Sequence, residues 1–365
     1  MERKGRIVEI KIGNKTISNQ SKPYFIADIA ANHDGNIDRA YRLIELAKEC
    51  GADAAKFQNF KAETIVSRNG FESLGAQLSH QSSWKKSVFD TYKDASLSDS
   101  WSEKLKEKCD EVGIEYMTSP YDFASVDLAE QYVNAYKIGS GDITWTEILE
   151  YIAKKEKPVL LATGASDLND VKRAVEIIQK YNKQIILMQC NTNYTASDLN
   201  FSYINLNVLH TYKELYPESI LGLSDHTFGH TTVLGAFTLG ARVFEKHFTD
   251  DNNREGPDHR FSMNPTSWKL MVKACNELFE ALGDGIKRVE TNEKDTVNIQ
   301  RRAFYLQKDI KKGEVLKEED IFPLRPVKEG AILPFEKSNI LGRTLLKDKK
   351  KDECLRWEDI ADAKR

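Results

Sequence analysis

Eight short apolar runs, most of them followed by a stretch of helical periodicity, constrain this chain more than any other feature. The runs lie at 24–29, 54–58, 115–119, 135–138, 158–162, 185–189, 220–224 and 242–248. Each is short, β-branched or aromatic, and closes on polar or glycine-containing residues, which is the signature of a buried strand. Between them, Ala40, Leu43, Ile44 and Ala47 recur at i, i+3, i+4, i+7 and form one apolar stripe on a helix. Leu105, Cys109 and Val112 do the same, as do Val171, Ala174, Val175 and Ile178. Strands alternating with helices in eight units predict a (β/α)8 TIM barrel. A doubly wound open sheet is the competitor. Eight units, with no GxGxxG after the first run, favour the barrel.

The segment 64–99 is too long for an ordinary βα loop. It follows the second strand on the side where barrel enzymes keep their active sites. Its content, including Phe71, Trp84, Lys85 and Lys86, predicts a lid or an extra helix. After Leu282, Gly283-Asp284-Gly285 breaks the last barrel helix, and the charged stretch 287–298 reads as a linker. The pattern then changes to short strand-like pieces, enough for a small β-rich module but not for a second enzyme core. The expected organisation is a catalytic barrel over 1–285, a linker over 286–300 and a small domain over 301–365.

Composition narrows the function class. The 365 residues are 40% hydrophobic and carry a net charge of -3 with both signs mixed. That argues against a nucleic-acid protein with a broad basic field. The five cysteines, Cys50, Cys109, Cys190, Cys275 and Cys354, form no CxxC pair, so reduced cytosolic thiols fit better than disulfides or structural zinc. No run approaches the roughly 20 apolar residues that span a bilayer. The first sixteen residues are charged and lack the apolar core of a signal peptide. The expectation is a soluble cytoplasmic protein with neither membrane nor nucleic acid as partner.

The strand ends carry the chemistry. In a barrel they converge on one mouth. Here they read Asp28, then Asn32-His33-Asp34-Gly35; Lys56-Phe57-Gln58; Lys137 through Asp142; Ala162-Thr163-Gly164; Cys190 through Tyr194; Ser224-Asp225-His226; and Glu245-Lys246-His247. Residues i and i+2 share a strand face, so Lys56 goes with Gln58, Ser224 with His226, and Glu245 with His247. His226 and His247 then sit on adjacent strands about 4.8 Å apart, close enough to share one divalent metal. Two lysines beside serine and glycine suit an anion. Asp28 and Asp142 either neutralise those lysines or take part in the chemistry, and Tyr194 either packs or binds. Lys137 is out of phase with Ser140 and Asp142, so a bend or bulge at the glycines is expected.

Several of these runs, in order along one chain, resemble bacterial sialic-acid synthases. They are 26–35, 137–142, 222–227 and 244–249, with Arg254-Glu255-Gly256-Pro257-Asp258-His259. The likeness extends from about Tyr24 to Ile360 and takes in a C-terminal part similar to the antifreeze-like (SAF) domain of that family. The resemblance implies condensation of phosphoenolpyruvate with an N-acetylated hexosamine. It implies a divalent metal, manganese with magnesium or cobalt as substitutes, on His226 and His247. Lys56, Lys137, Ser140, Ser224 and Thr192 match phosphoenolpyruvate-holding positions. Gln58, Asp142, Tyr194 and Asp258 match positions that touch the acceptor sugar. For that condensation, carboxylates such as Asp28 and Asp142 would orient water or move protons. Arg325 matches an antifreeze-domain arginine that reaches the partner's sugar site, which implies a domain-swapped homodimer.

This chain also departs from the family pattern. Asp28 and Asp142 stand where glutamate is usual, Ala162 where serine is common, Thr192 where asparagine is common, and Ala30-Ala31 where a glycine and its neighbour are usual. With no hydroxyl at Ala162, Thr163 or a backbone N–H is left to complete the phosphate cradle. The alternatives are an octulosonate-phosphate-type synthase or other barrel aldolase, and a non-catalytic carbohydrate- or ice-binding protein.

Overall fold

The computed structural model describes residues 7–362; the first six residues of the expected barrel domain and the last three of the small domain lie outside the described residues. The chain divides into one unit ending at Leu282 and another beginning at Gly283.

The first unit opens with an antiparallel hairpin, β1 (Glu9–Ile12) and β2 (Lys15–Ser18). Eight strands follow: β3 (Tyr24–Asp28), β4 (Ala54–Asn59), β5 (Glu115–Pro120), β6 (Tyr136–Ile138), β7 (Val159–Ala162), β8 (Ile185–Cys190), β9 (Ile220–Asp225) and β10 (Val243–His247). They pair in parallel and close as a barrel, with β10 beside β3. Every expected run coincides with one of these strands, the bounds differing by a single residue. Closure rules out the open sheet. The apolar stripes of the helices Ile37–Glu49 and Leu168–Gln179 face the barrel, with Ala40, Leu43, Ile44 and Ala47 buried in one and Val171, Ala174, Val175 and Ile178 in the other.

The hairpin was not foreseen. Its signal was the alternation in Glu9-Ile10-Lys11-Ile12 followed by Gly13, which takes a left-handed φ of 55°. Ile10, Ile12 and Ile17 pack in one cluster with Ile26, Met117, Leu160 and other residues from inside the barrel. The strands' N-terminal end is thus plugged by apolar side chains. Two residues on, along the same strand faces, the filling turns polar. Ile26 is followed by Asp28, Ala54 by Lys56, Met117 by Ser119, Ala135 by Lys137 and Val243 by Glu245. The period of two therefore stacks a polar layer on an apolar floor.

The segment 64–99 is helical. Ala62–Ile65, Arg68–Glu72, Val88–Ala95 and the 3-10 turn Ser79–Ser83 gather around Ala62, Val66 and Val88, with Phe71, Trp84 and Tyr92 packed against them. The last barrel helix, Pro265–Leu282, ends as expected at Gly283, whose φ of 59° stops it. Part of the expected linker is ordered instead as the helix Lys294–Gln300. The second unit pairs β11 (Ala303–Leu306) with β12 (Ile321–Leu324) around Phe304, Ile310, Leu316, Ile332 and Leu355.

Candidate active site

The barrel's register sets the site. Asp28 pairs with His247 on one side and Lys56 on the other. Ser224 pairs with Glu245 and with Cys190, and Gln58 with Ser119. Residues scattered through the sequence thus share one polar layer.

Two lysines organise it. Lys56 Nζ lies 2.7 Å from Asp28 Oδ2, each side chain 2% exposed, and donates to Ser119 Oγ at 3.3 Å. Gln58 Nε2 donates to the same Asp28 oxygen at 3.0 Å. Lys137 Nζ lies 3.3 Å from Glu245 Oε1, which also accepts from Ser224 Oγ at 3.1 Å. Burial opposes charge on Lys56, yet Asp28 and Glu245 outweigh it and hold the ammonium above its usual range. Burial likewise opposes charge on Glu245, and Lys137 and Lys56 reverse that, holding its carboxyl low. Burial pushes the Asp28 carboxyl up, against the pull of Lys56. Glu245 Oε2 is buried with no hydrogen-bond partner.

The two histidines meet above this layer. Their ring centroids are 5.5 Å apart. Tyr194 lies edge-on to His226 at 4.3 Å and Phe261 edge-on to His247 at 4.8 Å. His226 Nδ1 is 3.0 Å from the Asn191 carbonyl, and the ring also hydrogen-bonds Cys190; against the opposing effect of burial, these contacts hold its imidazole above the usual range. His247 Nδ1 is buried without a partner; Asp258 Oδ2 stands 3.8 Å from it, and Asp28 Oδ2 stands 3.6 Å from Nε2. Burial, reinforced by His226 and the lysines, keeps His247 neutral well below the usual imidazole range. The neutral His247, with its unpartnered nitrogen, beside His226 and two carboxylates makes a donor set that fits a divalent cation. Among the described residues, no group of three or more His, Cys, Asp or Glu side chains closes around one point.

The opposite wall is built from loop ends. After β6 the chain extends through Gly139 and curls into a 3-10 turn, Ser140–Asp142; this turn, rather than a bulge, solves the parity problem. Ser140 Oγ accepts from the Gly164 N–H at 2.9 Å. A Cβ on Gly164 would fall 1.9 Å from Thr192 Oγ1, 2.9 Å from Ser140 Oγ and 3.0 Å from Cys190 Sγ. Only glycine allows those three side chains to converge. Burial pushes the Asp142 carboxyl up to about 6, against Lys137. Burial likewise lifts Asp258 to about 6; it accepts from the Ala31 N–H at 3.1 Å. Thr163 does not complete the cradle. Its hydroxyl donates to the Met188 carbonyl at 3.0 Å and accepts from Tyr212 at 2.9 Å, facing the helix layer.

Residues 43–287 match the NeuB family, and residues 301–361 match the SAF domain. The chain belongs to the NeuB family. It is 34% identical to the N,N'-diacetyllegionaminic acid synthase of Campylobacter jejuni, over 92% of this chain and 99% of that protein. It is 30% identical to a pseudaminic acid synthase of the same organism, over 96% and 100%. A solved N-acetylneuraminic acid synthetase from Leptospira borgpetersenii, in complex with citrate, superposes with a TM-score of 0.69 at 27% identity. That match spans 81% of this chain and 97% of the other.

Within this NeuB-family barrel, the motif residues divide by role. Asp28, Lys56, Gln58, Lys137, Ser224 and His247 face the interior together. Ser140, Asp142, Thr192, Tyr194, His226 and Asp258 approach it from loops. Arg325 belongs to the second unit, where it is exposed just after β12. Other motif residues hold the loops. His33 packs edge-on to Trp101 at 5.6 Å, and Asn32 donates to the Phe248 carbonyl at 2.9 Å. Asp34 contacts both His259, at 3.0 Å, and Arg39, at 3.0 Å. Lys246 is buried against Asp225, on the outer face. Strand parity places Glu245 on the His247 face and Cys190 at a strand end, but neither carries a role from sequence alone.

Proposed function

We propose that this chain condenses phosphoenolpyruvate with an N-acetylated hexosamine and water, giving a nine-carbon 2-keto acid and phosphate. The observation that carries the reading is the pair of buried lysines facing one interior, beneath two histidines, in a chain of the NeuB family. Each buried ammonium already faces one carboxylate, Lys56 that of Asp28 and Lys137 that of Glu245, and phosphoenolpyruvate offers a phosphate and a carboxylate to join or replace them. Lys56 and Lys137, with Ser140, Ser224 and Thr192, hold those groups through the reaction. Gln58, Tyr194 and Asp258 orient the sugar so that its aldehyde meets C3 of phosphoenolpyruvate. Asp142 and Asp28 orient the water that adds at C2 and take its proton. Manganese, magnesium or cobalt, held by His226 and His247, would polarise the aldehyde oxygen.

We further propose a homodimer in which Arg325 of one chain completes the sugar site of the other. A cytoplasmic location accords with five buried, unpaired cysteines, and no helix among the described residues is long and apolar enough to cross a membrane. The SAF match favours this reading over an octulosonate-phosphate-type synthase, and the buried charge layer argues against a purely ice-binding protein. The test is release of phosphate from phosphoenolpyruvate by the purified chain. Release should require both a divalent metal and an added N-acetylated sugar. No release with any such sugar, metal present, overturns the reading.

A further inference from the structure

On the outer face of β9 and β10, Leu221, Leu223 and Phe244 belong to the main apolar core shared with the helices, as does Phe248 just beyond β10. Among them sits one charged pair. Asp225 of β9 and Lys246 of β10 form an ion pair whose side chains are only 1% and 2% exposed. It crosses the last rung of the β9–β10 ladder. The next residue on each side is a histidine of the site, His226 after Asp225 and His247 after Lys246. His247 is still paired, opposite Asp28 of β3. β9 pairs with β8 up to Ser224 and with β10 up to Asp225, so His226 stands one residue past the paired end of its strand.

A clamp closes around that residue. Asp225 Oδ1 accepts from the Thr227 N–H at 3.1 Å, and the Thr227 hydroxyl lies 3.0 and 2.9 Å from the two carboxylate oxygens. The Thr232 hydroxyl, from the first turn of the helix Thr231–Thr238, donates to Asp225 Oδ2 at 2.7 Å. Lys246 Nζ, besides meeting Asp225, donates to the Thr227 carbonyl at 2.6 Å. The residues before and after His226 are therefore tied to each other and to the residue before His247. A buried ion pair adds little net stability over apolar residues of similar size, because both charges leave water. A fully satisfied polar network supplies a fixed geometry instead. Resting on the metal reading above, we propose that the Asp225–Lys246 pair is a positioning device for the metal site: from the outer face of the barrel it sets His226 against His247, so that both imidazoles meet one divalent ion. Neither residue touches substrate or metal. Groups that orient metal ligands from behind govern metal affinity on a scale of about tenfold to a hundredfold.

The test titrates manganese(II) into the full chain and follows the free ion by paramagnetic resonance. The variant is Asp225→Val/Lys246→Met, which replaces both charges by apolar side chains and strands neither. Its manganese Kd should rise about tenfold or more, while its thermal unfolding stays cooperative. Saturating manganese should restore kcat and leave the phosphoenolpyruvate KM at the wild-type value, a split that a merely structural pair would not produce. Unchanged manganese affinity in the folded double variant overturns the proposal. If that variant does not fold, Thr232→Val decides, since it removes one hydrogen bond to the carboxylate and no charge. Its manganese Kd should rise at least about threefold, and an unchanged value again overturns the proposal. If the wild type binds no manganese, or a His226→Ala/His247→Ala variant binds it equally well, the metal reading itself fails and takes this proposal with it.

Discussion

Lys137 Nζ and Glu245 Oε1 lie 3.3 Å apart in the barrel interior, their side chains 3% and 6% exposed. A buried ammonium without its carboxylate is costly, on the order of 3 kcal/mol. Glu245→Gln should therefore lower thermal stability markedly. Phosphoenolpyruvate brings a replacement negative charge, so it should raise the melting temperature of Glu245→Gln more than that of the wild type. Thermal unfolding with and without phosphoenolpyruvate checks both. Equal ligand-induced shifts would mean that Glu245 does not stand in for the substrate's charge.

The lysines should act on phosphoenolpyruvate rather than on the sugar. Lys56→Ala or Lys137→Ala should cut kcat/KM for phosphoenolpyruvate by about a hundredfold or more, since a dianion loses a buried counter-charge. Steady-state kinetics with each substrate varied in turn separates the effects. Wild-type kinetics in both variants would place the phosphate elsewhere.

His226 and His247 should bind one divalent ion. Metal analysis of the purified chain after loading should give one equivalent, falling to none in a His226→Ala/His247→Ala double variant. Exhaustive chelation should abolish phosphate release, and manganese should restore it. Full activity after chelation would refute the assignment.

Asp142 should leave a pH signature. Its folded pKa, about 6, exceeds the unfolded value of about 3.9. The folded chain therefore keeps a proton that the unfolded chain has released. Asp142 contributes stability that is fully present below about pH 4 and lost as pH rises through about 6, by at most about 3 kcal/mol. Asp142→Asn should remove that slope. As the base it should also give activity an acidic limb near the same pH, absent from the residual activity of Asp142→Asn. Chemical denaturation and rate profiles across this range test the two parts independently.

Arg325 should act across the subunit boundary. Arg325→Ala and His226→Ala chains, each inactive alone, should regain activity when co-expressed. In a mixed dimer one site combines an intact barrel with an intact arginine, so about half its sites should work. A verified mixed dimer no more active than its parents would confine Arg325 to its own chain.

The sequence by itself determined the barrel, because its signals are local. Period two in each apolar run and period 3.6 between runs specify strands and helices without reference to distant residues, and the eight strand positions follow. The same parity determined which residues face inward, among them Lys56 with Gln58 and Glu245 with His247. It missed the β1–β2 hairpin, although Ile10 and Ile12 alternate visibly, because the surrounding charge masked so short a pattern. What the tertiary structure decided is which inward residue meets which. Barrel closure sets β10 against both β9 and β3, so Glu245 meets Ser224 and Asp28 meets His247 as well as Lys56, and it brings Lys137 of β6 across the interior to Glu245. Thr163, one residue past Ala162, turns to Tyr212 in the helix layer instead of the barrel interior. The convergence of Ser140, Thr192 and Cys190 on Gly164 also depends on loops from three strands. Such encounters join residues far apart in the chain, and their energies depend on burial and on the neighbouring charge, which no local pattern encodes.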